Sequence, residues 1–197
     1  SAALAAVAHA KVTGGLGCVV VTSGPGSTNA ITGLLAAWQD SIPCIFISGQ
    51  VRSNHTSYGR KVRQVGTQEV NICDIVSPIT KFAKFVDGKD EFISFLGKAI
   101  YIAFDGRPGP VWIDIPLDLH WSEINYNSNT PNYNENEKST EVIIDHDASL
   151  ESLELIKTSE KPLLALGYGI RLSGALEAIK NLVQTKYDNW FKTFPDK

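Results

Sequence analysis

The stretch Thr22-Ser-Gly-Pro-Gly-Ser-Thr-Asn29 joins a β-branched apolar run, Gly17 to Thr22, to a helical run that reaches Trp38. A strand that turns through glycines into a helix is where open α/β sheets place their ligands. Gly24 and Gly26, on either side of Pro25, let the backbone approach a flat group closely, and Pro25 offers a rigid apolar ring face. Ser27, Thr28 and Asn29 are placed to cap the helix and to donate to a ligand. On these residues alone a ligand-binding turn and a plain turn with a capped helix are equally compatible. No lysine follows in Walker spacing, which argues against a nucleotide-hydrolysing loop.

Working outward, Pro43 to Ser48 is a second apolar run, and Pro110 to Ile115 a third. Runs without alternation suit strands covered on both faces, as in a parallel sheet. Ile79 to Phe85 reads as an edge strand, and Glu91 to Phe104 has helical spacing ended by Gly106. Strand and helix alternate, so residues 1–119 read as an α/β domain with an open, mostly parallel sheet flanked by helices. Residues 120–140 are rich in Asn, Ser, Thr and Pro with little to bury, the composition of a linker. From 141 to 197 a second α/β domain begins and does not complete a core: a helix near Ser149 to Thr158, a strand Pro162 to Leu166, a glycine turn Gly167 to Gly174, and a helix Ala175 to Val183. The tail from Lys186 onward shows no clear element.

The chain has 197 residues, 43% hydrophobic and 20% charged, with a net charge of −3, which provides no electrostatic footprint for nucleic acid. Its apolar runs are far too short for a membrane span. Cys18, Cys44 and Cys73 stand singly, without metal-ligand spacing, and read as buried thiols of a cytoplasmic protein. There is no methionine, and the alanine-rich helix at Ser1 to Lys11 opens without a cap, so the chain is expected to start inside its first domain.

The ordered motifs resemble those of a known family. The alanine-rich helix, the Ser-Gly-Pro-Gly-Ser-Thr-Asn turn, Ile31 to Pro43, Ile47 to Val51, Gly66-Thr-Gln-Glu69, Pro78 to Lys81, Gly106 to Val111 and Asp114-Ile-Pro116 match, in order, the pyrimidine-binding domain of acetohydroxyacid (acetolactate) synthases. The likeness is clear over residues 1–120 and looser over 160–183. It implies the thiamine-diphosphate-binding fold followed by part of a Rossmann-like domain, and an enzyme that decarboxylates a 2-oxo acid such as pyruvate and transfers the acyl unit. By the same resemblance Gly24, Pro25, Gly26 and Asn29 line the pyrimidine of thiamine diphosphate, with Gln68 reaching toward cofactor and substrate. Lys81 matches a lysine near the active-site entrance, Arg107 an arginine that contacts FAD, and Gly167 and Gly169 a loop of the central domain that contacts FAD. On residue type alone, Lys81 also fits a solvated strand face, Arg107 a turn before Pro108, and the two glycines an ordinary strand-to-helix turn.

The family's catalytic glutamate is expected before Ser1, so no residue here receives that role, and Glu69 belongs to the later motif. Magnesium and the diphosphate are expected on a third domain, and a working enzyme is expected to be a homo-oligomer. Two departures bear on substrate: Arg52 to Gln64 is longer than in typical family members, and Thr67 stands where a phenylalanine is usual. A relative with another acyl acceptor, such as a keto-sugar, and a non-catalytic paralogue are the alternatives. His55 reads as a solvent-facing loop residue.

Overall fold

The computed structural model describes residues 1–124, 145–161 and 163–193. The chain divides into two units, Ser1–Thr140 and Glu141–Lys197. In the first, the order is α1 (Ala2–Thr13), β1 (Gly17–Val21), α2 (Pro25–Asn29), α3 (Ile31–Gln39), β2 (Cys44–Gln50), α4 (Ile72–Val76), β3 (Phe82–Phe85), α5 (Phe92–Phe104) and β4 (Pro110–Pro116). The four strands form one sheet in the order β1-β2-β4-β3, and every pairing is parallel. Parallel neighbours need crossover connections, which the helices supply.

Side-chain alternation along the strands sorts the core into two layers. Ile45, Val111 and Ile113 point to the α5 side, where they cluster with Val86, Ala99 and Ala103. Phe46 and Trp112 point the other way and stack with ring centroids 5.1 Å apart. Such a pair adds about 1 kcal/mol beyond the area it buries. On that side Gly17 lies under α1: a Cβ there would sit 2.5 Å from the Ala6 carbonyl oxygen. Gly33 of α3 meets α1 as closely, since its Cβ would come 2.5 Å from that of Ala3. Small residues thus set how near the two helices approach each other and the sheet.

The central strands β2 and β4 are covered on both faces, as their unbroken apolar runs predict. β1 is not. It is an edge strand, and Cys18 and Val20 are exposed, Val20 by 68%. The reason is placement: α5 packs on β2, β3 and β4, leaving that side of β1 open. Cys44 and Cys73 are buried, so the expectation of buried thiols fails only at Cys18. The edge strand expected over Ile79 to Phe85 is shorter, because Ser77–Ile79 forms a 3-10 turn around Pro78 and pairing begins at Phe82.

In the second unit α6 (His146–Thr158) is capped by Asp145, whose carboxylate accepts from the Ala148 N–H at 3.0 Å. α7 (Gly169–Leu172) and α8 (Leu176–Thr193) follow. The tail expected to lack structure is the last part of α8 as far as Thr193. The strand expected over Pro162 to Leu166 is not formed by Leu163 to Leu166, and Leu163 is 95% exposed, while Pro162 lies outside the described residues. The described part of this unit holds no other strand, and a lone strand leaves its backbone groups unpaired. None of residues 145–161 and 163–185 is buried. Of residues 120–140, expected as a linker, 125–140 lie outside the described residues.

Candidate functional site

The glycine turn leaves β1 at its carboxyl end. The helix starts at Pro25 itself, with Gly24 as N-cap. Proline suits the first helical position because its fixed φ is helical and its missing N–H has no partner there to lose. Ser27, Thr28 and Asn29 therefore lie inside the helix and do not cap it. The Ser27 hydroxyl instead donates to the Gly24 carbonyl at 2.9 Å, and the Thr28 hydroxyl to the same oxygen at 3.3 Å. Pro25 and Asn29, four residues apart, share one face of this short helix, and both are exposed. Gly24 has φ 58° and ψ −118°, a conformation that glycine alone adopts readily.

The structure brings Gln68 to this turn. Its φ of 61° is left-handed. Its carbonyl oxygen fills the place where a Cβ on Gly24 would be, and its own Cβ would come within 3.0 Å of that position. The Gln68 side chain is exposed beside the turn. Gly24, itself buried, thus touches Gln68, and the exposed Pro25 and Asn29 with the half-buried Gly26 lie on the helix that follows it. The space over Gly24 is taken by Gln68 and that over Gly26 by the Thr22 side chain, so what the turn leaves open is the Pro25 ring and the two amides, which can donate and accept.

The segment carrying Gln68 is braced from within. The Glu69 carboxylate accepts from the backbone N–H groups of Ser57, Val65 (2.8 Å) and Gly66 (3.3 Å). Desolvation pushes its pKa up, but these hydrogen bonds together outweigh it and hold the carboxyl below its ordinary value. Tyr58 donates to the Asn71 side-chain oxygen at 2.5 Å and packs on Phe85 with centroids 4.7 Å apart. Gly66 is buried, whereas Thr67 and His55 are exposed.

Sequence reading missed a buried polar network beneath this segment. Asp114 on β4 is fully buried, and its carboxylate accepts from the Ser48 hydroxyl at 2.5 Å and the Gln50 amide at 3.0 Å. Trp112 Nε1 donates to Ser48 Oγ at 2.8 Å. Gln50 Nε2 also donates to the Val70 carbonyl at 2.8 Å, and its Oε1 accepts from the Val51 N–H at 2.9 Å. Burial raises the Asp114 pKa to about 6 against the opposing hydrogen bonds from Ser48 and Gln50. The signal was present in the sequence as polar residues at Ser48, Gln50 and Asp114 within strands otherwise apolar.

Lys81 and Arg107 are placed elsewhere. The Lys81 N–H donates to the Pro110 carbonyl at 2.8 Å, level with Cys44 and Gly17 at the opposite end of the strands from the glycine turn. With Trp38, Gln39 and Pro108 these two cations line a cavity of about 330 Å³. Lys81 Nζ donates to the carbonyl oxygens of Ile102 and Asp105 at the end of α5, and Arg107 Nε to Ser41 Oγ at 2.7 Å. Burial lowers the Lys81 pKa, and attraction to Asp105 opposes that. At the turn's end of the sheet, Thr22, Val20, Ile47, Phe92, Ile115 and His120 help line a larger cavity of about 700 Å³. In the second unit, Gly167 and Gly169 face open space where a side chain would project, and neither has positive φ, so the fold of that unit does not itself demand glycine there. No cluster of three or more His, Cys, Asp or Glu suited to a metal occurs among the described residues, nor any helix long and apolar enough to cross a membrane.

Residues 1–75 match the family described as "Thiamine pyrophosphate enzyme, N-terminal TPP binding domain". The acetolactate synthase large subunit of Haemophilus influenzae is 40% identical over 162 residues, 82% of this chain and 27% of that protein. That of Lactococcus lactis is 38% identical over 180 residues, 89% of this chain and 29% of that protein. The isozyme 2 large subunit of Escherichia coli is 33% identical over 185 residues, 92% and 31% respectively. The chain thus spans less than a third of the length of these relatives. With its parallel α/β sheet and its glycine turn, the chain carries the N-terminal domain of thiamine pyrophosphate enzymes and is a homologue of acetolactate synthase large subunits over most of its length.

Proposed function

We propose that residues 1–119 form the pyrimidine-binding wall of a thiamine diphosphate enzyme, acetolactate synthase-like, that decarboxylates a 2-oxo acid such as pyruvate and transfers the acyl unit. The observation that carries this reading is the seating of Gln68 on Gly24, which brings two separate family motifs into contact. Thiamine diphosphate, when bound, supplies the electron sink for loss of carbon dioxide from the 2-oxo acid. Pro25 takes the ring face, while Asn29 and Gln68 hold its polar edge and orient it. Glu69 keeps its segment in place and takes no part in proton transfer, because its oxygens already accept from three backbone N–H groups.

In the same reading magnesium and the diphosphate are held outside these residues, the working protein is a cytoplasmic homo-oligomer, and the catalytic acid is not among residues 1–197. Lys81 and Arg107 serve the other end of the sheet, away from the pyrimidine, so Lys81 has no part in the reaction of the substrate there, and Arg107 alone of the first unit faces FAD. The cavity between two cations and Trp38 supports an anionic, ring-bearing ligand there.

Titration of the 197-residue chain with thiamine, which carries the pyrimidine without the diphosphate, followed by tryptophan fluorescence, tests the cofactor assignment. Saturable binding that Pro25→Asp abolishes is the expected result. Absence of saturable binding, or binding indifferent to Pro25, overturns it. The chain alone is expected to show no pyruvate decarboxylation, and turnover above the blank contradicts the assignment of the acid elsewhere.

A further inference from the structure

The amide of Gln50 stands at a junction. It is 4% exposed and its three polar contacts leave it a single orientation: the NH2 group toward Asp114 and the Val70 carbonyl, the oxygen toward the Val51 N–H. A flipped amide would set its oxygen against two acceptors, so the Asp114 carboxylate dictates which way Gln50 faces. The other oxygen of Asp114 accepts from Ser48, and Ser48 Oγ accepts from Trp112, all on the central strands β2 and β4. The Val70 carbonyl lies two residues after Gln68, and it also accepts from the Ile72 N–H at 2.9 Å, at the start of α4.

We propose that Gln50, oriented by Asp114, is the positioning residue for the segment Gly66 to Asn71, and so for the seat of Gln68 on Gly24. Gln68 holds a left-handed backbone that glutamine does not favour, so something must over-determine it. Glu69 ties the segment to its own loop, from Ser57 to Gly66. Gln50 ties it to the sheet. Without that tie the hydrogen bonds within the loop are no longer anchored to the sheet, so they open more often and the loop loses its height above the turn. The consequence for thiamine diphosphate rests on the function proposed above; the consequence for the segment does not.

Native-state amide hydrogen exchange on the 197-residue chain separates these cases. Gln50→Met keeps volume and removes every donor. It is expected to speed exchange at Gly66, Glu69 and Ile72 by at least about tenfold, while Phe46 and Trp112 in the central strands keep their rates. Gln50→Glu, which retains an acceptor for Val51 but places a carboxylate against Asp114 and Val70, is expected to do the same and serves if the first variant fails to fold. Ser48→Ala, which breaks the network on the side away from Val70, is expected to leave Gly66, Glu69 and Ile72 unchanged. Unaltered exchange at these amides in both Gln50 variants overturns the proposal. So does a rise spread evenly over loop and strands, or one that Ser48→Ala reproduces. Affinity for thiamine is expected to fall about tenfold in Gln50→Met. If the unaltered chain binds none, the cofactor reading fails while the exchange result still decides the positioning role.

Discussion

The backbone carbonyl of Gln68 occupies the space that a side chain on Gly24 would need. Gly24→Ala therefore brings both a steric clash and a Cβ at φ 58°. The expected loss is about 2–4 kcal/mol of unfolding free energy, read from urea denaturation, together with loss of cofactor affinity. The reverse case is Gln68→Gly, which relieves a left-handed glutamine. It is expected to hold or raise stability by up to about 1 kcal/mol while weakening binding. A variant that gains stability and keeps full affinity would show that the Gln68 side chain has no part in the site.

Lys81 stabilises the end of α5 by donating to its last carbonyls, whatever else it does. Lys81→Met is expected to cost about 1 kcal/mol, seen as a lower thermal midpoint. Lys81→Arg should recover little, because the space beside Gly109 is tight: a Cβ there would lie 3.1 Å from Lys81 Cδ.

Asp114 predicts an uncommon pH profile. Its pKa rises on folding, from an ordinary 3.8 to about 6, mainly through burial. The folded state thus binds the proton more tightly than the unfolded state, and this contribution is present below about pH 4 and lost as pH rises through about 6. By linkage the difference approaches about 3 kcal/mol. Glu69 and Asp118, whose pKa values are lowered by backbone hydrogen bonds in spite of desolvation, act in the opposite sense and at lower pH. Between about pH 4.5 and 6.5 the stability of the native protein relative to Asp114→Asn should fall with rising pH. A flat difference across that window contradicts the buried carboxylate.

Thiol labelling separates the cysteines. Cys18 is exposed on β1, whereas burial raises Cys44 to about 11 and Cys73 to about 12. One thiol should react quickly with a maleimide under native conditions and three after denaturation, with Cys18→Ser abolishing the fast phase.

The fold was legible where local signals and burial agree. The unbroken apolar runs of β2 and β4 and the helical spacing of α5 each led to the right element. β1 misled because its run matches theirs, and no local pattern reveals that α5 stops short of it. The segment Leu163 to Leu166 misled for a related reason, since a strand is defined by a neighbour and its own residues do not disclose one. At the site, the motif residues were readable singly. What was hidden was their partnership: nothing in Gly66-Thr-Gln-Glu69 discloses that Gln68 turns left-handed onto Gly24, or that Gln50 reaches across to Val70. Such contacts join positions 20 or more apart in the chain, beyond any local rule.

The parallel register has one more consequence. Gly24 and Gln68 lie beyond one end of the strands and Lys81 and Arg107 at the other, about 13 Å or more apart along the strand direction at roughly 3.3 Å per residue. Sites so separated, with no shared partner, contribute free energies that sum. A double variant carrying Gly24→Ala and Lys81→Met should therefore lose the sum of the two single losses, so that each end of the sheet can be altered while the other serves as its internal control.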